Sequence, residues 1–166
     1  MTNGSWRVDE TYIRVKGEWV YLYRAVDAAG QTIDFLLSAK REAVAAKLFF
    51  RKALRQPHTV HPRTITVDKN AAYPVATKAM KCAGELWRFA KLRQVKFLNN
   101  IVEQDHRRIK RLVRPGLGFK SFMTAAQTMA GHEVMAMIGK GQVAIAPAND
   151  MKAQGDFIAA LFRVAA

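Results

Sequence analysis

The sequence predicts an α/β domain in which a mixed sheet of about five strands carries helices on both faces. Strand-like segments fill the first forty residues, and helix-like and strand-like segments alternate after them. The composition agrees, because 50% of the residues are apolar and 24% are charged, as in ordinary globular domains. A chain of 166 residues is also long enough to bury one substantial core.

Three strands are predicted at the start of the chain. Residues 6–15 mix apolar and polar positions with β-branched and aromatic side chains. Residues 19–26 (WVYLYRAV) are more uniformly apolar, as in a central strand. The turn-forming run 27–30 (DAAG) then leads into a third strand at 32–37 (TIDFLL), which the short connection makes antiparallel to the second.

A helix is predicted over residues 40–56. Ser38 is placed to cap its first turn, since serine oxygens accept hydrogen bonds from free backbone N–H groups. Val44, Leu48 and Leu54 are the apolar positions that we expect on its buried face.

The middle of the chain predicts strand, helix and strand in turn. Residues 64–67 (TITV) form a short buried-type strand, and a helix follows over 71–82 with Pro74 tolerated in its first turn. Gly84 ends that helix, and a short strand is predicted near 92–97.

The last third is predicted to be helical. One helix starts at the Asn pair at 99–100, runs to about residue 113 and is stopped by Pro115. A second covers 121–138, and a last helix is predicted at 157–164. The methionines of the second helix are predicted to fill the core: Met123, Met129, Met135 and Met137.

The charge balance favours a polyanionic partner. Lys and Arg total 27 against 13 Asp and Glu, a net charge of +14, and nucleic acid is the commonest partner of so basic a chain. No apolar run approaches the ~20 residues of a membrane span, and no signal peptide is apparent at the start. The lone Cys82 excludes an internal disulfide and fits a reducing compartment. We therefore expect a cytoplasmic, nucleoid-associated protein that contacts no membrane.

Three carboxylates stand out by position. Asp9 lies inside the first strand, where Asp is a poor strand former, and Asp68 ends a later strand, where the ligands of open α/β sheets collect. Glu103 falls in the first turn of a helix. Each also has an ordinary interpretation: an edge or turn residue for Asp9, an N-cap or Asx turn for Asp68, and a capping box with Asn100 for Glu103.

The segments around these carboxylates resemble a known family. WRVDETY, TITVDKNAAYP and NNIVEQDHRRIKR are similar to the catalytic segments of DDE transposases, and 34 residues (69–102) separate Asp68 from Glu103, a spacing typical of one large transposase group. YLYRAVDAAGQTIDFLLS and GFKSFMTAAQTMAGHEVM resemble the insertion-sequence-six family more narrowly. The resemblance covers about residues 5–142.

The resemblance implies a ribonuclease-H-like fold shared with retroviral integrases, with Asp9 and Asp68 on adjacent strands. It implies that Asp9, Asp68 and Glu103 hold two Mg²⁺ or Mn²⁺ ions and catalyse DNA cleavage and strand transfer. Carboxylate oxygens are the ligands that such hard cations prefer. It also implies that residues 1–142 form the catalytic core, with a tail of unknown role at 143–166, and that the active protein is a homo-oligomer on element ends and target DNA.

Positive charge is concentrated around the third carboxylate. Residues 88–120 contain ten Lys and Arg against Glu103 and Asp105. A solvated basic face is the simpler interpretation of this charge. DNA contacts are nevertheless expected from six of the ten: Arg107, Arg108, Lys110, Arg111, Arg114 and Lys120. Lys110 matches the basic residue that the family carries seven positions after its Glu. Trp87 and Phe89 have either a base-stacking role or, more commonly, a place in the core.

Histidines contribute less to the prediction. His58 and His61 are predicted to be loop residues rather than metal ligands, since prolines flank them and no cysteine is near. His106 follows Glu103 by three positions and matches the Asp-His pair of the family, where it would tune the site or contact a phosphate.

Relatives in this family begin with a helix-turn-helix region, which the sequence is expected to lack because residue 9 already lies in the first catalytic strand. A truncated copy and a fragment of a larger transposase both fit this expectation. Three functions remain open on the sequence: a DDE transposase, a catalytically inactive relic that only binds DNA, and a ribonuclease-H-like nuclease or resolvase acting on branched or hybrid substrates.

Overall fold

The computed structural model describes residues 1–96, 100–113 and 118–162, with the side chains of 100–105 and 112 excepted. The strands in these residues are β1 (Ser5–Val15), β2 (Glu18–Asp27), β3 (Thr32–Ser38), β4 (Thr64–Val67) and β5 (Lys91–Gln94). The helices are α1 (Ala43–Leu54), α2 (Ala72–Cys82), α3 (Asn100–Val113), α4 (Phe122–Gly139) and α5 (Met151–Phe162). The predicted order of elements is confirmed, with β5 beginning and ending earlier than expected.

The strands form one mixed sheet in the order β3-β2-β1-β4-β5. β1 pairs antiparallel with β2, as β2 does with β3, whereas β1 and β4 pair in parallel, as do β4 and β5. The prediction of a mixed sheet of five strands is confirmed. β4 pairs with residues 5–7 of β1, and the far end of β1 bridges instead to Phe119 through Val15.

One face of the sheet packs against α1 and α2. Trp6, Val8 and Tyr23 lie in this core with side chains of both helices. The predicted buried face of α1 is wrong at two positions, because Val44 is 66% exposed and Leu48 is 52% exposed. The helix instead buries a second apolar stripe: Ala45, Ala46, Phe49, Phe50 and Ala53. Two phenylalanine rings remove more apolar surface from water than the alternative stripe, which decides the rotation of the helix.

Polar contacts fix α1 against β3. Lys52 Nζ donates to Asp34 Oδ1 at 2.7 Å and to the Phe35 carbonyl at 2.6 Å, and Gln56 Nε2 donates to Asp34 Oδ2 at 2.8 Å. The predicted cap at Ser38 is wrong, because the helix begins at Ala43 after Glu42. Ser38 hydrogen-bonds the backbone of Lys40 instead.

Asp27 organises the turn between β2 and β3. Its carboxylate is buried and accepts three backbone N–H groups, from Asn3, Ala29 and Gln31, each at 2.9 Å. Gly30 adopts a φ of 81°, which glycine tolerates without strain. The predicted turn is confirmed, and Asp27 also ties the residues before β1 to it.

The other face of the sheet carries α3. Alternate residues of a strand point to opposite faces, so Asp9, Thr11 and Ile13 lie opposite Val8. His106 of α3 approaches Asp9 on that face, and Ile109 of the same helix is buried. Helices therefore cover both faces, as predicted.

The chain divides into two compact units, residues 1–126 and 127–166. In the second, α5 begins at Met151, earlier than predicted, because Asp150 Oδ1 accepts the Ala153 N–H at 2.9 Å and caps the helix. The core role predicted for the methionines holds for Met129 but is wrong for two others, since Met123 is 68% exposed and Met135 is 39% exposed. The boundary after residue 142 stays a prediction.

Among the residues that the structure describes, no helix is long and apolar enough to cross a membrane.

Candidate active site

Asp9 and Asp68 lie at the same level on neighbouring parallel strands. The last pair between β1 and β4 is Arg7 with Thr66. Each aspartate follows its member of that pair by two residues, so the same register places the two positions side by side at the carboxyl end of β4. The topology thus brings together two carboxylates that are 59 positions apart in the chain (68 − 9).

The environment of Asp9 works against its negative charge. Its side chain is 22% exposed. Burial, together with the negative charges of Asp68 and Glu10, raises the pKa of Asp9 to about 6, even though the Glu10 N–H and Arg41 act in the opposite direction. That N–H donates to Asp9 Oδ1 at 2.9 Å, and Asp9 Oδ2 lies 3.5 Å from His106 Nδ1. A carboxylate so placed gains from a neighbouring cation.

Asp68 uses its two oxygens differently. Oδ1 accepts the Asn70 N–H at 3.0 Å, which is the Asx turn that the sequence offered as the ordinary interpretation. Oδ2 lies 3.8 Å from Nη2 of Arg41, and the side chain is 28% exposed. The turn therefore orients Asp68 without removing its second oxygen from the site.

Glu10 is a buried carboxylate beside the two aspartates. Its side chain is 5% exposed and accepts hydrogen bonds from Asn70 Nδ2 at 2.8 Å, from the Tyr73 hydroxyl at 3.0 Å and from Nε of Arg41. Burial and the negative charge of Glu10 raise the pKa of Tyr73 well above its ordinary range, so the hydroxyl remains a donor. Such a set of donors fixes the Glu10 carboxylate in place.

Sequence reasoning missed both Glu10 and Arg41. Glu10 carries the same indication as its neighbour Asp9, since a carboxylate within an apolar strand is unfavourable without a partner. Arg41 lies between β3 and α1, where a surface arginine is ordinary. Its guanidinium bridges Glu10 and Asp68, and only the tertiary structure shows this.

The third predicted carboxylate lies on α3. Glu103 precedes His106 by three positions in this helix, and positions three apart are neighbours on one helix face. The contact of His106 with Asp9 therefore brings this part of α3 to the site. The side chain of Glu103 lies outside the described residues, as does Asp105 beside it.

The donor set fits a divalent cation. Within the side chains that the structure describes, no three His, Cys, Asp or Glu groups form a metal cluster, and Glu103 is not among them. Asp9 and Asp68 nevertheless supply the hard oxygen ligands that Mg²⁺ and Mn²⁺ prefer, and a cation between them would relieve their mutual repulsion, which adds to burial in raising the pKa of Asp9.

The predicted DNA-contacting cations of α3 are exposed: Arg107, Arg108, Lys110 and Arg111. Lys120 is exposed as well, and Arg114 lies outside the described residues. The prediction that the nearby aromatics pack in the core is wrong, because Trp87 is 50% exposed and Phe89 is 59% exposed. They form an edge-to-face pair with ring centroids 5.5 Å apart.

Comparison with known proteins identifies the family. Residues 3–142 match the family model described as a DDE domain. The chain belongs to the DDE transposase family. Its relatives within that family include the transposase for insertion sequence-like element IS431mec of Staphylococcus aureus (strain Mu50), 38% identical over 133 residues, which are 77% of this chain and 54% of the relative. The transposase for insertion sequence element IS257 in transposon Tn4003 of Staphylococcus aureus matches to the same extent. The predicted insertion-sequence-six membership is confirmed, and the DDE chain spans about half the length of the curated relatives it matches.

Solved structures agree on the fold of this DDE domain. The HTLV-2 integrase catalytic core domain in complex with magnesium, in its dimeric form, superposes with a TM-score of 0.53 at 16% identity, covering 85% of this chain and 87% of that one. The trimeric form gives a TM-score of 0.52 at 15% identity and covers 87% and 89%. At such identities the likeness shows the fold alone, and it confirms the predicted ribonuclease-H-like class.

Proposed function

We propose that this chain carries the DNA cleavage and strand-transfer centre of an insertion-sequence transposase. The observation that supports this most directly is that Asp9 and Asp68 lie side by side on neighbouring parallel strands, at the carboxyl end of β4, in a domain of the DDE family. Open α/β sheets bind their ligands at that edge. The alternative of a relic that only binds DNA has no observation in its favour.

Asp9, Asp68 and Glu103 would hold two Mg²⁺ or Mn²⁺ ions. When bound, such ions activate a water or 3′-hydroxyl for attack and neutralise charge on the phosphate under attack. Support for the ligand set comes from the raised pKa of Asp9, the partly exposed Asp68 carboxylate and the contact between His106 and Asp9. The HTLV-2 integrase core of the same fold was solved with magnesium.

Arg41 would contact the phosphate that is cut. Glu10 holds Nε of its guanidinium, which leaves the Nη2 side turned toward Asp68 and the site. A guanidinium fixed on one side by a buried carboxylate presents its remaining N–H groups in a set direction, which suits bidentate binding of a phosphate. Its positive charge would be stabilising where negative charge develops during the reaction.

DNA would lie across α3 and be held by its exposed cations. The net charge of +14 favours phosphate contacts of this kind. We further propose that the active protein is a homo-oligomer, as the dimeric and trimeric forms of the integrase core suggest, and that it works in the cytoplasm at the nucleoid.

The test is cleavage of supercoiled plasmid and labelled duplex with Mg²⁺ or Mn²⁺ and with EDTA. Asp9→Asn and Asp68→Asn should each abolish cleavage and reduce the Mn²⁺-dependent rise in melting temperature, because two close dications need anionic oxygens. DNA affinity should hold or increase slightly, since a repulsive charge near the phosphates is removed.

Asp156→Asn is the matched control, being an exposed aspartate on α5. Cleavage that survives in Asp68→Asn, or is lost equally in Asp156→Asn, contradicts the assignment. DNA binding without cleavage by the parent chain supports the relic instead.

A further inference from the structure

A cavity of about 450 Å³ opens between β1, β2 and α3. It is lined by Tyr12, Ile13 and Arg14 of β1, by Trp19 of β2 and by Lys110 and Val113 of α3. The volume suits a ligand of modest size. Nothing proposed so far uses this cavity.

Two aromatic side chains give the cavity its apolar wall. Tyr12 is 52% exposed and Trp19 is 56% exposed. Their rings meet edge to face, with centroids 4.9 Å apart and planes at 77°. They occupy diagonal positions on neighbouring strands, because Tyr12 pairs with Tyr21 and Trp19 pairs with Arg14. Large aromatics left half exposed beside an active site commonly mark a binding surface.

Two cations stand over these rings. Lys110 Nζ lies 5.1 Å from the centroid of Tyr12, and the guanidinium carbon of Arg14 lies 5.3 Å from the centroid of Trp19. Arg14 Nε also donates to the Gly17 carbonyl at 3.2 Å, which holds that side chain in place. The described residues that line the cavity include no carboxylate. Exposed aromatic rings with positive charge beside them suit a planar ligand that carries phosphate.

The cavity is close to the proposed metal ligands along two elements. Tyr12 follows Asp9 by three residues on β1, which is about 10 Å at the rise of a strand, and it points to the face that Glu10 shares, opposite to that of Asp9. Lys110 follows His106 by four residues on α3, which is about 6 Å along the helix. Stacked nucleotides rise about 3.4 Å each along one strand. A DNA strand bound at Asp9 and Asp68 would therefore reach the cavity within about three nucleotides.

We propose that this cavity binds one unpaired nucleobase of the DNA strand, within about three nucleotides of the phosphate that is cut. The base would stack on the Trp19 ring with the Tyr12 ring beside it, and Lys110 and Arg14 would pair with the adjoining phosphates. The placement beside the cut phosphate rests on the proposed function. Base-paired DNA hides the faces of its bases, so the site selects a base that has left the duplex.

The test compares two probes at one salt concentration in EDTA, so that no cleavage is needed. One is a fluorescein-labelled oligothymidylate, and the other is a hairpin duplex of equal phosphate count. Trp19→Ala should weaken binding of the single strand about tenfold or more, because each base that stacks on an aromatic side chain contributes substantially. Duplex affinity should change less than about twofold, since phosphate contacts carry it.

Phe162→Ala is the control, because Phe162 is an exposed aromatic side chain on α5 that belongs to no proposed site. It should leave the preference between the probes unchanged. Trp19→Phe should retain most of the single-strand affinity, which separates lost stacking from lost folding. An oligothymidylate carrying 5-iodouridine should crosslink to Trp19 or Tyr12 under ultraviolet light.

Equal losses on both probes, or no loss on either, would overturn the proposal. So would a change of oligomeric state in Trp19→Ala with unchanged single-strand affinity, because the cavity would then receive a second copy of the chain. These measurements use no metal, so the two proposals can fail separately. A chain that does not cleave DNA but shows a Trp19-dependent preference for single strands would contradict the proposed function and still support the base-binding site.

Discussion

The Nδ1 atom of His106 lies 3.5 Å from Oδ2 of Asp9. This contact joins α3 to the middle of β1, and it brings the helix that carries Glu103 to the edge where Asp9 and Asp68 meet. The predicted carboxylate set depends on that approach, since residues 9, 68 and 103 belong to three separate elements.

Metal affinity should increase as the pH rises through about 6. Asp9 must lose its proton to ligate a cation, and burial together with nearby negative charge raises its pKa to about 6. Calorimetric titration with Mn²⁺ at pH 5.0, 6.0 and 7.5, on the order of one unit to either side of that pKa, should show binding that is weak, intermediate and strong. An affinity that is flat over this range would exclude Asp9 from the ligands.

Without metal, Asp9→Asn should stabilise the protein above pH 6. A raised pKa means that the folded state binds the proton more tightly than the unfolded chain, so stability declines as the pH rises from about 4 to about 6. Removing the charge should recover about 1–3 kcal/mol at pH 7.5 and close to nothing below pH 4. Urea unfolding in EDTA at both pH values measures the difference.

Arg41→Gln should slow cleavage about 10²–10³-fold while duplex affinity changes little, because the proposed role of Arg41 lies in the charge that develops during reaction. Arg51→Gln is the matched control. Arg51 lies on α1, the helix that follows Arg41. It forms a similar pair with Glu85, in which Nη2 donates to Oε1 at 2.7 Å. If the two substitutions slow cleavage equally, Arg41 forms only a surface ion pair and does not contact the phosphate.

Combining Arg41→Gln with Glu10→Gln distinguishes the effect of Arg41 on cleavage from its effect on stability. Arg41→Gln alone leaves the buried Glu10 carboxylate without its cation, which should lower the melting temperature. The double variant Glu10→Gln/Arg41→Gln should recover stability without recovering cleavage. Recovery of both by the double variant would contradict a phosphate contact by Arg41.

The exposed cations of α3 should set the salt dependence of DNA binding. The logarithm of affinity falls linearly with the logarithm of salt concentration, with a slope of about −0.9 for each phosphate contact. Replacing Arg107, Arg108 and Arg111 with Gln should flatten that slope by about two to three units. An equal flattening in a control variant would assign the effect to net charge. That control replaces three exposed cations elsewhere with Gln: Arg55, Lys78 and Lys152.

Asp27→Ala should lower the free energy of unfolding by about 2–4 kcal/mol, since the three N–H groups that it accepts lose their partner. Asp156→Ala, an exposed site, should change it by less than about 0.5 kcal/mol. Urea denaturation of both variants provides the comparison, and a small effect at Asp27 would mean that water replaces its carboxylate.

The sequence by itself determined the elements and their order. Alternation and apolar density located β1, β2 and β3, turn chemistry located their connections, and the carboxylates at Asp9 and Asp68 stood out because they are unfavourable in a strand. These are local properties, since the conformation of a short segment depends mainly on its own residues. Sequence motifs added the family, and with it the expectation that β1 and β4 lie side by side.

Only the tertiary structure decided which side chains share the site. α1 has two apolar stripes, and the packing of Phe49 and Phe50 selected one of them, which turned Val44 and Leu48 to solvent. The contacts of Glu10 with Arg41 and Tyr73 span 31 and 63 positions of the chain. No local pattern encodes such contacts, because they form when distant elements bury their apolar faces on one sheet, and the buried carboxylate must then find its donors wherever that packing places them.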